Sequence, residues 1–208
     1  MNDNELEEKV IAGLESLADP KTFMKKYNLT NEEGVLLYAV GDGNHSLATA
    51  KAIWEKIKAT VGMDHPARYA LVEIENIHDE GLEFEPIHRV LFGLTEDPLL
   101  ALRTYFGSTF SSTSCRNEEE MICLVKTQQG HDQSFGLITP AGFNLITITE
   151  PSYTIPVGTL QAFLDAWLKN GGAKKIDYVH GDRVVCTLGE EEGNAGFYLP
   201  SMQKADLF

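Results

Sequence analysis

Six apolar residues run unbroken from Val35 to Val40, and Gly41-Asp42-Gly43-Asn44-His45-Ser46 follows at once. A continuous apolar run of strand length predicts a strand buried on both faces. Beyond the loop, Leu47, Ala50, Trp54, Ile57 and Val61 recur at helical spacing. That spacing predicts a helix from about Ser46 to Thr60, ending near Gly62. Strand, glycine-bearing loop and helix in this order point to an α/β chain and put a helix N-terminus beside the loop.

The flanking segments extend the same pattern. Leu6, Val10, Leu14 and Leu17 fall near one helical face, and Asp19-Pro20 breaks that helix before a short one at Lys21 to Tyr27. Ala67 to Ile77 alternates like a half-buried strand, with Glu73 and Glu75 on its exposed face. Phe84 to Leu91 reads as a short strand, and Pro86 places it at a sheet edge. Asp97-Pro98 is an acidic cap followed by proline at the first helical position, so a helix starts there. Asn117 caps a second helix whose first turn holds three glutamates, Glu118 to Glu120. Strands at Ser134 to Thr139 and Phe143 to Thr149 are joined by Pro140-Ala141-Gly142. Leu160, Phe163, Leu164, Trp167 and Leu168 form an amphipathic stripe closed by Gly171-Gly172. A strand at Lys175 to Val179, a helix near Asp182 to Leu188 and a strand at Gly196 to Leu199 follow. The expected fold is α/β (α+β): a mixed sheet with flanking helices in two closely packed subdomains, 1–95 carrying the loop and 96–208 behind it.

Charge narrows the partners. The chain has 17 Lys and Arg against 31 Asp and Glu, a formal net charge of −14. Phosphate-backbone binding needs clustered cations, so neither nucleic acid nor an anionic membrane surface is expected. No apolar run approaches membrane-spanning length. Cys115, Cys123 and Cys186 form no C-x-x-C pair, which fits free, packing thiols in a reducing compartment and a cytoplasmic, bacterial-type protein.

Two clusters carry groups capable of chemistry. At the loop, Gly41 and Gly43 let the backbone approach a ligand, and the helix start offers unpaired N–H groups to an anion. Asp42 suits a metal ion or a proton; His45 suits a phosphate as imidazolium, or acid–base work near neutral pH. Asn44 and Ser46 can donate to an anion or simply cap the helix. The competing reading is a plain turn with an ordinary N-cap, since neither the Walker nor the Rossmann spacing is present. The second cluster is Asp79-x-Gly81-Leu82 with Pro86-Ile87-His88-Arg89. His88 and Arg89 would present two cationic donors to a phosphate or carboxylate; alternatively they are a surface histidine and an arginine paired with Glu83 or Glu85. His65, His78, His131 and His180 lack metal-ligand spacing and read as ordinary.

At these two clusters the chain resembles the bacterial and archaeal family designated domain of unknown function 1015. The motifs are Asp42-Gly43-Asn44-His45 after a strand, the Asp79 to Leu82 turn, and Pro86 to Arg89. The resemblance implies that this chain is a central-to-C-terminal part of a longer protein. Many relatives carry His-Arg where His45-Ser46 stands here. More distantly, the loop is similar to that of the superfamily holding the ParB nucleotide-binding domain, sulfiredoxin and free serine kinase, where such a loop grips nucleotide phosphates.

The resulting expectation is a protein that binds a phosphorylated small molecule, a class that includes a nucleotide with Mg²⁺. The pocket would be rimmed by Asp42, Gly43, Asn44, His45, Ser46, His88 and Arg89. In an enzyme of this kind, phosphoryl transfer would use Asp42 on the metal and His45 and Arg89 on phosphate oxygens. Two other readings stay open: a non-catalytic ligand-sensing or interaction module, and an acid/base enzyme using Asp42 and His45. An apolar patch near Leu207 and Phe208, exposed by truncation, would serve a homodimer.

Overall fold

A computed structural model describes residues 4–29, 34–40, 44–128 and 130–207, apart from the side chains of residues 44, 45, 205 and 207. The chain divides between Glu83 and Phe84, ahead of the boundary read at residue 95.

In the first unit the helices follow local signals. Helix α1 (Asn4–Leu17) stops before Asp19, whose carboxylate caps α2 (Pro20–Tyr27) by accepting the Thr22 N–H at 2.8 Å. Asn28 ends α2 in the left-handed region at φ 54°, returning its N–H to Met24 O. Strand β1 (Tyr38–Val40) leads to α3 (Asn44–Val61), which closes at Gly62 with φ 82°. Strand β2 (Ile74–Asn76) pairs antiparallel with β1, Ala39 opposite Glu75.

The strands of this unit are shorter and more open than the sequence predicts. Only 38–40 of the apolar run are in the ladder, and Tyr38 and Val40 are 44% and 43% exposed. The reason is topological: among the described residues β1 has one partner, in a two-stranded ribbon, so no flanking strand or helix layer encloses both its faces. Likewise most of Ala67 to Ile77 is not strand. Pro66–Arg68 make a 3₁₀ turn, Leu71 is fully exposed, and pairing begins at Ile74.

The second unit is a six-stranded sheet with helices on both faces. Its elements are β3 (Ile87–Phe92), α4 (Pro98–Phe106), β4 (Phe110–Cys115), α5 (Glu118–Thr127), β5 (Gln133–Thr139), β6 (Gly142–Ile148), α6 (Pro156–Lys169), β7 (Lys175–His180), α7 (Asp182–Gly189) and β8 (Asn194–Tyr198). Strand order is β4-β6-β5-β8-β3-β7 and each pairing is antiparallel. The α/β (α+β) class therefore holds. Strand β3, read from the sequence as an edge strand of the first subdomain, is internal between β8 and β7. Its ladder starts just after Pro86, whose missing N–H keeps that residue out of the pairing.

Period-two alternation assigns the two layers. Leu91, Leu137 and Phe197 pack with Leu102, Leu160 and Phe163 of α4 and α6; Val90, Ile138 and Tyr198 pack with Met121 of α5 and Val185 of α7. Two glycines set how near the second helix layer lies. A Cβ on Gly196 would stand 2.6 Å from Val185 O, and one on Gly136 2.5 Å from Met121 Sδ. The caps match the sequence: Asp97 accepts the Leu100 N–H and Asn117 the Glu120 N–H, both at 3.0 Å. The chain closes in a 3₁₀ turn at Lys204–Leu207; the Leu207 side chain and Phe208, where an apolar patch is expected, lie outside the described residues.

Candidate functional site

The loop is bounded by described structure. Strand β1 ends at Val40 and α3 begins at Asn44, so Gly41-Asp42-Gly43 connects strand to helix. Those three residues, and the side chains of Asn44 and His45, lie outside the described set. Ser46 is exposed in the first turn of α3, a turn that contains no acidic residue. An 18-residue helix carries a developed dipole, with its positive end at Asn44.

The Asp79 motif is a turn held by its own side chain. Asp79 Oδ1 accepts the Gly81 N–H at 2.8 Å, and the Leu82 N–H reaches Asp79 O at 3.2 Å. Just before it, His78 is buried and satisfied at both ring nitrogens. Nε2 lies 3.1 Å from Leu36 O, and Nδ1 2.8 Å from the Tyr27 hydroxyl. A carbonyl can only accept, so Nε2 carries the proton and Tyr27 donates to Nδ1. His78 therefore fixes the short core of the first unit, which agrees with its reading as an ordinary histidine.

His88 and Arg89 do not form a joint anion clamp. Neighbouring strand residues point to opposite faces, and both side chains are buried. Arg89 runs under α6, donating from Nε to Gln161 Oε1 at 3.2 Å and from Nη1 to Ile87 O. Its guanidinium lies 4.9 Å from the Tyr178 ring centroid. Burial lowers the pKa of Arg89, yet the group remains a cation held by three protein partners. His88 faces α7 instead. Its Nδ1 accepts the Leu199 N–H at 3.0 Å, its ring stacks on Tyr198 at 4.5 Å, and burial depresses its pKa to about 4. At neutral pH His88 is thus an uncharged imidazole with its proton on Nε2. Neither the cationic pair nor the surface pairing with Glu83 or Glu85 describes these residues. What the sequence hides is that an internal strand, not an edge, carries them.

The surroundings of His88 come from distant parts of the chain. Asp182, at the start of α7, places Oδ1 3.6 Å from His88 Nε2, a Coulombic neighbour beyond direct hydrogen-bond range. Lys126 of α5 reaches Asp182 Oδ2 at 3.2 Å and sits 6.0 Å from the Tyr198 ring centroid. The result is a half-exposed ion pair over a buried, stacked His–Tyr pair. No local motif announces it, because only the packing of α5 and α7 on the sheet brings 88, 126, 182 and 198 together. Two of the three thiols belong to packing: burial raises Cys186 to about 12 and also raises Cys115, so neither is a ready nucleophile. Cys123, by contrast, is exposed on α5 and is not the packing residue the sequence predicts. Among the described residues, no group of three or more His, Cys, Asp or Glu is placed to hold a metal ion, and no helix is long and apolar enough to cross a membrane.

Residues 3–167 match the family described as "Protein of unknown function (DUF1015)". The chain belongs to this family. The family match takes in the glycine-bearing loop, the Asp79 turn and the His88-Arg89 strand, and it stops within α6. Asp182 and Tyr198, which surround His88, therefore lie beyond the matched span. No curated protein and no solved structure matches the chain.

Proposed function

We propose that Gly41 to Ser46, the connection from β1 and the first residues of α3, forms an anion-binding site that holds the phosphate of a small molecule such as a nucleotide with Mg²⁺. One observation carries this reading: β1 ends at Val40, α3 begins at Asn44, and no acidic residue occupies the first turn of that 18-residue helix. The free amides at the helix start and the positive end of its dipole then follow directly on two glycines, an arrangement suited to phosphate oxygens. Backbone N–H groups of 43–47 hold the anion, with Asn44, His45 and Ser46 as side-chain donors. Asp42 holds the metal ion and, in a phosphoryl-transfer enzyme, positions it against the transferred group. His88 and Arg89 take no part, since both are committed inside the second unit. The loop's similarity to that of the ParB, sulfiredoxin and free serine kinase superfamily adds an analogy of the same kind.

Calorimetric titration with ATP, ADP and pyrophosphate, each with and without Mg²⁺, tests the proposal. The parent chain is expected to bind at least one of these saturably. His45→Ala is expected to weaken that binding about tenfold, which corresponds to about 1.4 kcal/mol for one lost charge-assisted contact. Equal affinity of parent and variant at matched salt, or no binding by the parent, would reduce the loop to a structural turn.

A further inference from the structure

A cavity of about 360 Å³ opens in the second unit between the end of α4, the segment after β6 and the first turns of α6. Its walls include Tyr105, Phe106, Ile148 and Tyr153, and Glu150 is the only charged residue among the described residues that line it. Tyr105 and Tyr153 are about half exposed, at 48% and 51%. Two phenol rings and one carboxylate around a cavity of small-molecule size favour a positive charge on an apolar body.

The wall is built, not incidental. Buried Gln133 donates from Nε2 to Tyr153 O at 2.7 Å and accepts from the buried Thr159 hydroxyl at 2.6 Å. That pair ties the 150–153 segment to β5 and α6 at once. Gly158 supplies the room for the ring: a Cβ there would stand 3.2 Å from Tyr153. On the other wall, Tyr105 packs edge-on against Phe106 at 4.8 Å and Phe163 at 5.4 Å, which fixes its plane. Glu150 is held at φ 51°, and the only other non-glycine residue at positive φ among those described is Asn28. Asparagine adopts that region readily, whereas glutamate does so only at a cost. At a position where glycine would be easier, the chain places a glutamate in the lining of an aromatic cavity.

We infer that this cavity is a binding site for a small organic cation, an ammonium group on an apolar body. The charge rests between the Glu150 carboxylate and the tyrosine faces, and the body lies against Phe106 and Ile148. All its lining residues belong to the second unit, and the proposal does not depend on the glycine-bearing loop.

The test uses the full chain with benzylamine, cationic at neutral pH, and its uncharged isostere benzyl alcohol, followed by amide chemical shifts. Benzylamine is expected to bind at least about fivefold tighter than the alcohol, from cation–π and carboxylate attraction. Its shifts should centre on 105–106 and 150–153. Glu150→Gln should cut the preference to the smaller part that the tyrosine faces supply. Glu150→Gly should fold at least as stably as the parent, because it relieves the left-handed backbone, and should show the same reduced preference. Equal binding of amine and alcohol by the parent, shifts centred elsewhere, no saturable binding of the amine, or a preference kept in full by Glu150→Gln would each overturn the proposal.

Discussion

Both units carry apolar residues at regular spacing, but they enclose them differently. The second unit closes a sheet between two helix layers, and residues such as Leu91, Phe135, Phe163 and Phe197 are almost fully buried. In the first, the buried residues among those described are Phe23, Tyr27, Ile77 and His78, while Val10, Ile11 and Ile53 stay about half exposed. Periodicity makes a helix amphipathic, but burial requires a second layer to receive the stripe. A three-residue β1 in a two-stranded ribbon supplies little of one.

The largest expected effect separates the units by truncation. Phe163→Ala should cost about 3–5 kcal/mol, since it empties a site packed by Phe106, Trp167 and Phe197. Ile53→Ala, at 51% exposure, should change stability by no more than about 0.5 kcal/mol. Denaturant unfolding of the two variants measures both. A cost at Ile53 comparable with that at Phe163 would mean that α3 is covered in solution, and the contrast between the units would fail.

The same contrast governs what the sequence reveals. Asp97-Pro98 and Asn117 were legible because a cap is local: the side chain bonds a backbone N–H three residues on. The β5–β6 hairpin was legible for the same reason, its turn lying between strands that pair with each other. Ala67 to Ile77 misled because alternation alone cannot supply a neighbouring strand, and only Ile74–Asn76 finds one. Of the candidate site, the position of the loop between strand and helix could be read, but the fate of His88 and Arg89 could not. Their burial depends on β3 lying between β7 and β8, a pairing with residues about a hundred positions away.

The buried imidazole gives a pH test of intermediate size. The folded-state pKa of His88 is lowered from 6.5 to about 4, so between those values the unfolded chain binds more protons than the folded one. Stability is therefore lost as pH falls through this window, and above it the group contributes no slope. The shift corresponds to at most about 3 kcal/mol, with Asp182 offsetting part of the burial and Arg89 and His180 adding to it. His88→Asn keeps an acceptor for the Leu199 N–H and removes the titration. Relative to the parent, this variant should lose less stability between pH 6.5 and 4. Parallel stability curves for the two chains would show that His88 is hydrated, and that the second unit is less closed than described.

The smallest effect probes a polar anchor in the core of the first unit. Tyr27 donates to His78 Nδ1 at 2.8 Å while Nε2 holds Leu36 O, so the imidazole ties α2 to the segment entering β1. Lys26 adds a second tie, donating to His78 O at 3.1 Å. Tyr27→Phe removes the hydroxyl and keeps the ring, whose centroid lies 5.1 Å from that of Phe23. The change therefore removes the hydroxyl's hydrogen bond to His78, expected to be worth about 1 kcal/mol. In a unit with so few buried side chains, this loss should appear as local opening. Amide exchange at α2 and at residues 76–78 should speed up about fivefold, the kinetic equivalent of that energy, while amides of β5 and β8 keep their protection. Faster exchange spread evenly over β5 and β8 as well would mean that the two units open together. The difference between them would then lie in how they pack and not in how stable each is.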